Sequence, residues 1–309
     1  MRIAFLGTPR FAVPVLEALL GAGHEIVCVV AQPDRPAGRG RALHEPATKV
    51  LARSRGLKVF QPEKVRDGRL AQDLRSLAPE VLVVVAYGRI LGRDLLELAP
   101  WGALNIHASL LPRWRGPAPI QWALASGDGE TGVTLMRVAE GLDTGDILLQ
   151  RAVAMDRMET ADRLHDRLSA LGAEVILEGL PLLVAGRLTP VRQDDDAATQ
   201  ARMLEREDGR LDFSLPAEIL AARVRAFDPW PGAFTLLEGR SLKVHRARVS
   251  PPAGLSQGEA RPTAEGLLVG CGSESALLLL ELQLEGRRRL PAIEFMKGVP
   301  VRQGTMLGR

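Results

Sequence analysis

Cysteine is almost absent from this chain: Cys28 and Cys271 are the only two, and they lie far apart. That pair supports neither a disulfide framework nor a CxxC metal signature, so the expected compartment is a reducing cytoplasm. Long apolar runs are missing too. None reaches the roughly 18 residues that a membrane span needs. Met1 leads directly into the strand-like "RIAFL" (2–6), which reads as the absence of a secretory signal. Aromatic residues make up only 4% of the 309 positions, against 46% hydrophobic and 25% charged. This is ordinary globular composition, with chain enough for one large or two medium domains. Charge of one sign is also scarce. The net charge is +3, and the whole basic excess falls in residues 206–309, a weak hint of a nucleic-acid partner. No internal repeat is visible.

Buried-strand patterns alternate with helical ones over the first part of the chain. "RIAFL" (2–6), "EIVCVVA" (25–31), "EVLVVVA" (80–86) and "ALNIHA" (103–108) are β-branched or continuously apolar, as strands covered on both faces are. Between them lie amphipathic segments. In the first, Phe11, Val15, Leu16 and Leu19 recur at helical spacing and Gly21 and Gly23 stop the helix. Others fall near 45–56, 67–78, 91–98 and 117–126. The alternation predicts an α/β fold: a Rossmann-like, mostly parallel sheet with helices on both faces. "GVTLMRV" (132–138) and "DILLQRAVAM" (146–155) read as two further strands. A long helix follows, N-capped by Thr160, with Leu164, Leu168, Leu171 and Val175 as its stripe. Residues 189–205 read as a polar, aperiodic linker between a catalytic domain (1–188) and a C-terminal domain (206–309). In the latter, a helix at 216–226 precedes short strands that suggest a small closed β-barrel.

One more absence narrows the chemistry. The loop "FLGTPRFA" follows the first strand, where a dinucleotide fold places GxGxxG, yet only Gly7 is present, with Pro9 and Ala12 at the other two positions. A pyrophosphate could not approach that backbone, so NAD binding is not expected despite Asp34 beyond the second strand.

What stands out instead is "LNIHASLLPRWRGPAPI" (104–120). Alternate strand residues share a face, so Asn105 and His107 point together at the carboxyl end of a strand, the edge where open α/β sheets bind ligands. An uncharged donor beside an imidazole suits a carbonyl that becomes an oxyanion while a nitrogen exchanges a proton. A satisfied structural histidine is the competing reading. Asp143 lies in the glycine-bounded turn "AEGLDTG" and could fold back to orient His107 and favour its charged form; alternatively Asp143 and Asp146 are plain turn residues.

"NIHASLLPRWRGPAPIQWAL" together with "TGVTLMRVAEGLDTGDIL" resembles the folate-dependent formyltransferases. "GTPRFA" (7–12), "AQPDRPAGRGRAL" (31–43) and "RAFDPWPGAFT" (225–235) narrow the resemblance to members that act on methionyl-tRNA, and it covers nearly the whole chain. It implies a Rossmann-like catalytic domain with an OB-like C-terminal barrel. It also implies formyl transfer from 10-formyltetrahydrofolate to the α-amine of methionyl-initiator tRNA, by a monomer, without a metal. In it Asn105, His107 and Asp143 match the catalytic trio, with Asp143 holding His107 and a water. Ser109, Leu110, Leu111 and Pro112 match the folate-contact motif, joined by the edge Gly88, Arg89, Ile90 and Leu91. Arg35, Arg39 and Arg41 belong to a loop that enters the tRNA acceptor arm. Lys243, Arg246 and Arg248 of the barrel, with the run 287–289, could supply phosphate contacts. Arg10, Arg89 and Gly92 depart from the usual pattern beside the expected pocket. A glycinamide ribonucleotide enzyme would share Asn-x-His and the Asp turn but need neither 31–43 nor 206–309. A sugar-nucleotide formyltransferase would lack the basic glycine loop. A non-catalytic RNA-binding protein would not need the trio.

Overall fold

The computed structural model describes residues 1–37 and 42–308. They form two compact units. The first comprises residues 1–119, 130–154 and 164–202; the second takes 120–129, 155–163 and the chain from 203 onward.

The first unit contains strands β1 (Arg2–Gly7), β2 (Glu25–Val30), β3 (Arg35–Ala37), β4 (Ala42–His44), β5 (Val59–Phe60), β6 (Val81–Val85), β7 (Ala103–His107), β8 (Glu130–Arg137) and β9 (Ile147–Ala154). The main sheet runs β5-β2-β1-β6-β7-β8-β9, while β3 and β4 pair only with each other. Its first five strands are parallel, and β8 and β9 are antiparallel additions at one edge. β6 is buried at every position, and β1 at all but its first, because helices cover both faces. On one face Leu70 and Leu74 of α3 (Arg69–Ser76) and Leu95 of α4 (Arg93–Leu96) pack with Ala4, Leu6, Leu82, Val84 and Ala103. On the other lie α1 (Val13–Gly21) and α6 (Ala161–Val184), where Gly172 meets Ile106 and Val15, and Gly179 meets Leu135. Leu164, Leu168 and Val175 of the expected stripe are fully buried. The helix expected near 91–98 is a single turn, Arg93–Leu96.

The strand order places the site. From β1 the chain builds outward to β2 and β5, then returns to β1's other side as β6 and β7. The carboxyl ends of β1 and β6 therefore meet at a point of reversal, where connections diverge and leave a crevice. Gly7 is paired with Val85 there, and a Cβ at Gly7 would press on Phe5, Ala12 and the Val85 carbonyl within 2.9 Å. This glycine serves strand–helix packing and not a bound dinucleotide.

β3 and β4 form a two-stranded antiparallel ribbon apart from the main sheet. Its two ends are tied together by Lys49 of α2 (Ala47–Ser54), which contacts Asp34 at 2.7 Å and Glu45 at 2.9 Å. The hydrogen bond from Lys49, then that from Gln61, holds the Asp34 carboxyl below its usual range. Residues 189–202, aperiodic as expected, are nonetheless strapped to the first unit: Val191 bridges Ile147, and Ala201 N donates to Arg115 O at 2.7 Å.

The second unit includes α5 (Pro119–Ala125) in part, α7 (Ala217–Ala226) and α8 (Ala292–Gly298). Its strands are β10 (Phe234–Leu237), β11 (Arg240–Ser250), β12 (Glu259–Pro262), β13 (Leu267–Gly270), β14 (Ala276–Leu284), β15 (Leu290–Pro291) and β16 (Thr305–Met306). They pair antiparallel in the order β10-β11-β14-β13-β12-β16, with β15 on β14. Gly308 N donates to Leu236 O at 2.9 Å, so the chain end reaches back to β10 and the barrel is nearly closed. Leu220, Ala221 and Val224 of α7 join its core. Thr160 Oγ1 accepts from Arg163 N, as its capping role requires.

Both thiols are buried, Cys28 in the first core and Cys271 in the second, and burial pushes each up to about 12. At pH 8 the thiolate, the reactive form, is then nearly unpopulated. Iodoacetamide should leave both unmodified in the native protein and modify both in denaturant, as read by mass. Native labelling of either at the rate of a free thiol would contradict this packing.

Candidate active site

His107 ends β7 on the face shared with Ala103 and Asn105, and its ring is only 6% exposed. A buried imidazole needs partners for both nitrogens. Nε2 lies 2.9 Å from the main-chain oxygen of Trp114. A carbonyl only accepts, so Nε2 carries a hydrogen. That leaves Nδ1, which faces Asp143 Oδ2 at 3.6 Å. In the neutral ring Nδ1 presents a lone pair to the carboxylate; a proton there turns repulsion into an ion pair. Proton exchange is thus confined to Nδ1. Asn105, half-buried, has no side-chain hydrogen bond among the described residues, so its amide is available to a ligand.

The turn between β8 and β9 brings Asp143 back over the sheet edge. Gly145 packs against the Arg137 carbonyl so closely that no side chain fits, and Arg137 N donates to Asp146 O at 2.9 Å. Asp146 thus joins the turn through its main chain, whereas Asp143 also engages other segments through its side chain. Asp143 sits at φ 53°, in the left-handed region that an L-residue enters only under outside support. The support is visible: its Oδ2 accepts from Gly116 N at 2.9 Å and its carbonyl accepts from Gln193 Nε2 at 2.8 Å. Trp114, at φ 64°, is a second such residue, and it is the one that aims its carbonyl at His107.

The segment 109–112 is anchored to β8 and β9. Thr134 Oγ1 donates to Ser109 O at 2.6 Å and accepts from Leu111 N at 3.2 Å. Gln150 Nε2 donates to Leu111 O at 2.9 Å, and Ser109 Oγ donates to Arg113 O at 2.6 Å. Ser109 and Leu111 are buried, and Leu110 packs over Gly132. Pro112 is half-buried. Ser109 and Leu111 thus face inward and fix the loop, while Leu110 and Pro112 stay partly exposed.

At the reversal point, Gln32 is the hub. Its amide donates to the carbonyls of Tyr87 (3.0 Å) and Gly88 (3.3 Å) and accepts from Arg89 (3.2 Å) and Arg35 (3.3 Å). Gly88 and Ile90 are exposed, whereas Leu91 is 3% exposed and belongs to the core, so its side chain is not at the edge as expected. A cavity of about 520 Å³ is lined by residues 63–67 and 88–90. A second, of about 500 Å³, is lined among others by Thr8, Arg10, Gln32, Arg35 and Tyr87. Residues 109–112 line neither.

The departures find partners in the fold. Arg10 pairs with Asp166 of α6 at 2.9 Å, Arg89 with Gln32, and Gly92 occupies the N-cap of α4 in extended backbone. Of the basic candidates, Arg39 and Arg41 lie outside the described residues. Lys243, Arg246 and Arg248 are exposed on β11. Arg248 is ion-paired with Glu265, and Arg289 with Glu281 at 2.7 Å. Among the described residues, no group of three or more His, Cys, Asp or Glu side chains converges on a common point. Sequence reasoning missed Thr134, Gln150, Gln32 and Gln193. Thr134 left a trace, a hydroxyl in the apolar run "VTLM", while a glutamine in polar "VRQDDD" leaves none.

The pattern described as formyl transferase matches residues 1–180, and that of the formyl transferase C-terminal domain matches 203–300. The chain belongs to the formyl transferase family. It is 62% identical over 304 residues to a methionyl-tRNA formyltransferase of Anaeromyxobacter dehalogenans, covering 97% of each chain. It is 49% identical over 308 residues to one of Geobacter sulfurreducens, covering 100% of this chain and 97% of the relative. The fold also matches WlaRD, a sugar 3N-formyl transferase solved in the presence of dTDP and 5-N-formyl-THF. That likeness has a TM-score of 0.68 at 15% identity, over 93% of this chain and 99% of that one.

Gly116 links the two sides of the site. It has φ 126°, and a Cβ there would stand 2.6 Å from the Ala201 carbonyl oxygen. Gly116→Ala should cost about 1–3 kcal/mol in urea unfolding from backbone strain alone. A variant as stable as the parent would mean that the 114–116 loop relaxes freely.

Proposed function

We propose that this chain transfers the formyl group of 10-formyltetrahydrofolate to the α-amino group of methionyl-initiator tRNA, giving N-formylmethionyl-tRNA for translation initiation. The observation that carries the chemistry is the His107 ring held between the Trp114 carbonyl and the Asp143 carboxylate, on the strand face that also presents Asn105. The relatives' names, at up to 62% identity over nearly the full length, support the acceptor.

In this reading the neutral α-amine, whose ordinary titration lies near pH 7.7–8, attacks the formyl carbon. A carbon–nitrogen bond forms, and the formyl oxygen gains the negative charge that Asn105 stabilises as a donor. The amine proton passes to Nδ1 of His107, with Asp143 stabilising the imidazolium. The same proton returns to the donor's nitrogen as its bond to the formyl carbon breaks. Asp143 lies 3.6 Å from Nδ1, and protonation of Nδ1 would draw the two into a charge-assisted hydrogen bond.

The formyl donor would meet the edge made by Gly88, Arg89 and Ile90 and the 109–112 loop, where Leu110 and Pro112 stay partly exposed and Ser109 and Leu111 hold the loop in place. We assign catalysis to residues 1–188, with 189–205 as the connection and 206–309 as an RNA-binding barrel. Arg35, Arg39 and Arg41 would meet the acceptor arm, and Lys243 and Arg246 phosphates. Arg248 is the weaker candidate, because Glu265 already neutralises it. The protein would work as a cytoplasmic monomer. No described helix is long and apolar enough to cross a membrane. Small-molecule acceptors are disfavoured because they leave the 31–43 segment without a task and because the relatives' names point to methionyl-tRNA.

A formylation assay on charged initiator tRNA decides the reading. Asn105→Ala should lower kcat by about 100- to 1,000-fold, the usual loss for one oxyanion donor, and His107→Ala by about 100- to 10,000-fold, the usual range for a general acid–base group, with tRNA affinity unchanged. Near-normal turnover removes that residue from the trio. Separately, Lys243→Ala should flatten the log–log salt dependence of tRNA binding by about 0.7–0.9. An unchanged slope would take Lys243 off the phosphate path.

A further inference from the structure

The polar composition of 189–200 marks a linker, yet Gln193 is only 5% exposed. Its amide is committed at both ends. Nε2 donates to the carbonyls of Asp143 at 2.8 Å and Gly145 at 2.7 Å, and Oε1 accepts from Arg115 Nε at 2.9 Å. Arg115 is itself 6% exposed and held from the same segment. It pairs with Asp195 at 2.9 Å, its N donates to Thr199 O at 2.9 Å, and its carbonyl accepts from Ala201 N. One glutamine therefore joins the turn that carries Asp143 to the loop that carries Trp114 and Gly116. Those are the two segments that grip His107, one on each ring nitrogen.

We propose that Gln193 is a positioning residue for formyl transfer, locking the His107–Asp143 pair by cross-linking the Asp143 turn to the 114–116 loop. This rests on the catalytic reading of Asp143 given above. The chemistry selects the side chain. Two carbonyls need donors and Arg115 needs an acceptor, and a primary amide offers both at one planar end. The two donated bonds hold the turn at Asp143 and two residues beyond it, beside a left-handed backbone that persists only where its surroundings over-determine it. Glutamate has the same shape and keeps an acceptor for Arg115. It also turns a carboxylate oxygen toward two carbonyl oxygens, so it should spare the strap and release the turn.

The test is steady-state formylation of charged initiator tRNA by full-length Gln193→Glu, Gln193→Ala and Asp143→Asn proteins, with Tm measured for each. Histidine-labelled protein gives the ring-nitrogen shifts of His107, one of five histidines. Asp143→Asn should be severely impaired. Both Gln193 variants should lose about 100-fold in kcat, the scale of a reacting group displaced by about 1 Å. KM for either substrate should stay within about twofold. The His107 shifts should move at a temperature where both variants are fully folded, with Gln193→Glu losing some Tm because its buried carboxylate faces two carbonyls. Parent-like kcat in both Gln193 variants, with Asp143→Asn impaired, overturns this inference alone. Parent-like kcat in Asp143→Asn overturns both readings. A loss that follows KM or Tm, with His107 shifts unmoved, also overturns it, because Gln193 then only ties down the strap.

Discussion

The imidazole of His107 is buried, and its Nε2 is tied to a main-chain carbonyl 2.9 Å away. An imidazole bound in this way keeps one nitrogen for chemistry, and that nitrogen has to be served by something that reaches back over the sheet edge. The rest of the site meets this demand. Two left-handed residues, Trp114 and Asp143, bend their loops inward, and Gly116 N holds the Asp143 carboxylate at 2.9 Å. Such conformations cost free energy, on the order of 1–3 kcal/mol each. The buried hydrogen bonds around them offset it.

In the proposed reaction, binding and proton transfer would occupy different stretches of the same edge. The crevice at the reversal between β1 and β6 carries the two cavities and the Gln32 hub, as open α/β sheets lead one to expect. The trio stands on the adjoining strand and on the turn after β8. The antiparallel pair β8–β9 is what makes this possible. It places Thr134 opposite both His107 and Gln150, so that one hydroxyl can anchor the 109–112 loop while the following turn delivers Asp143. A purely parallel extension would have sent the chain away through a crossover helix instead.

The barrel unit treats charge differently. Seven of its basic side chains lie along β11 and the 287–289 turn, and neighbouring carboxylates on Glu265 and Glu281 neutralise some of them. Lys243 and Arg246 are exposed on the same strand. A patch of this mixed kind suits salt-sensitive contact with a phosphate backbone and does not by itself read sequence.

Much of this was legible in one dimension. The buried runs at β1, β2, β6 and β7, the period-2 pairing of Asn105 with His107 and the glycine-bounded turn around Asp143 are local patterns, because a strand's faces and a turn's geometry depend on neighbours in the chain. The short, polar β12 and the two-residue β16 were not legible, since they are strands only where a partner strand supplies hydrogen bonds. The inward turn of Leu91, Ser109 and Leu111 escaped for the same reason: which side of a loop faces the core is decided by what packs against it. Gln193 shows the limit most clearly. Its sequence alone determined that a polar amide would stand in an aperiodic stretch. Only the folded chain decided that this amide is buried, because the carbonyls of Asp143 and Gly145 and the guanidinium of Arg115 come from segments 50 and 78 residues away, and converge only when the sheet is formed.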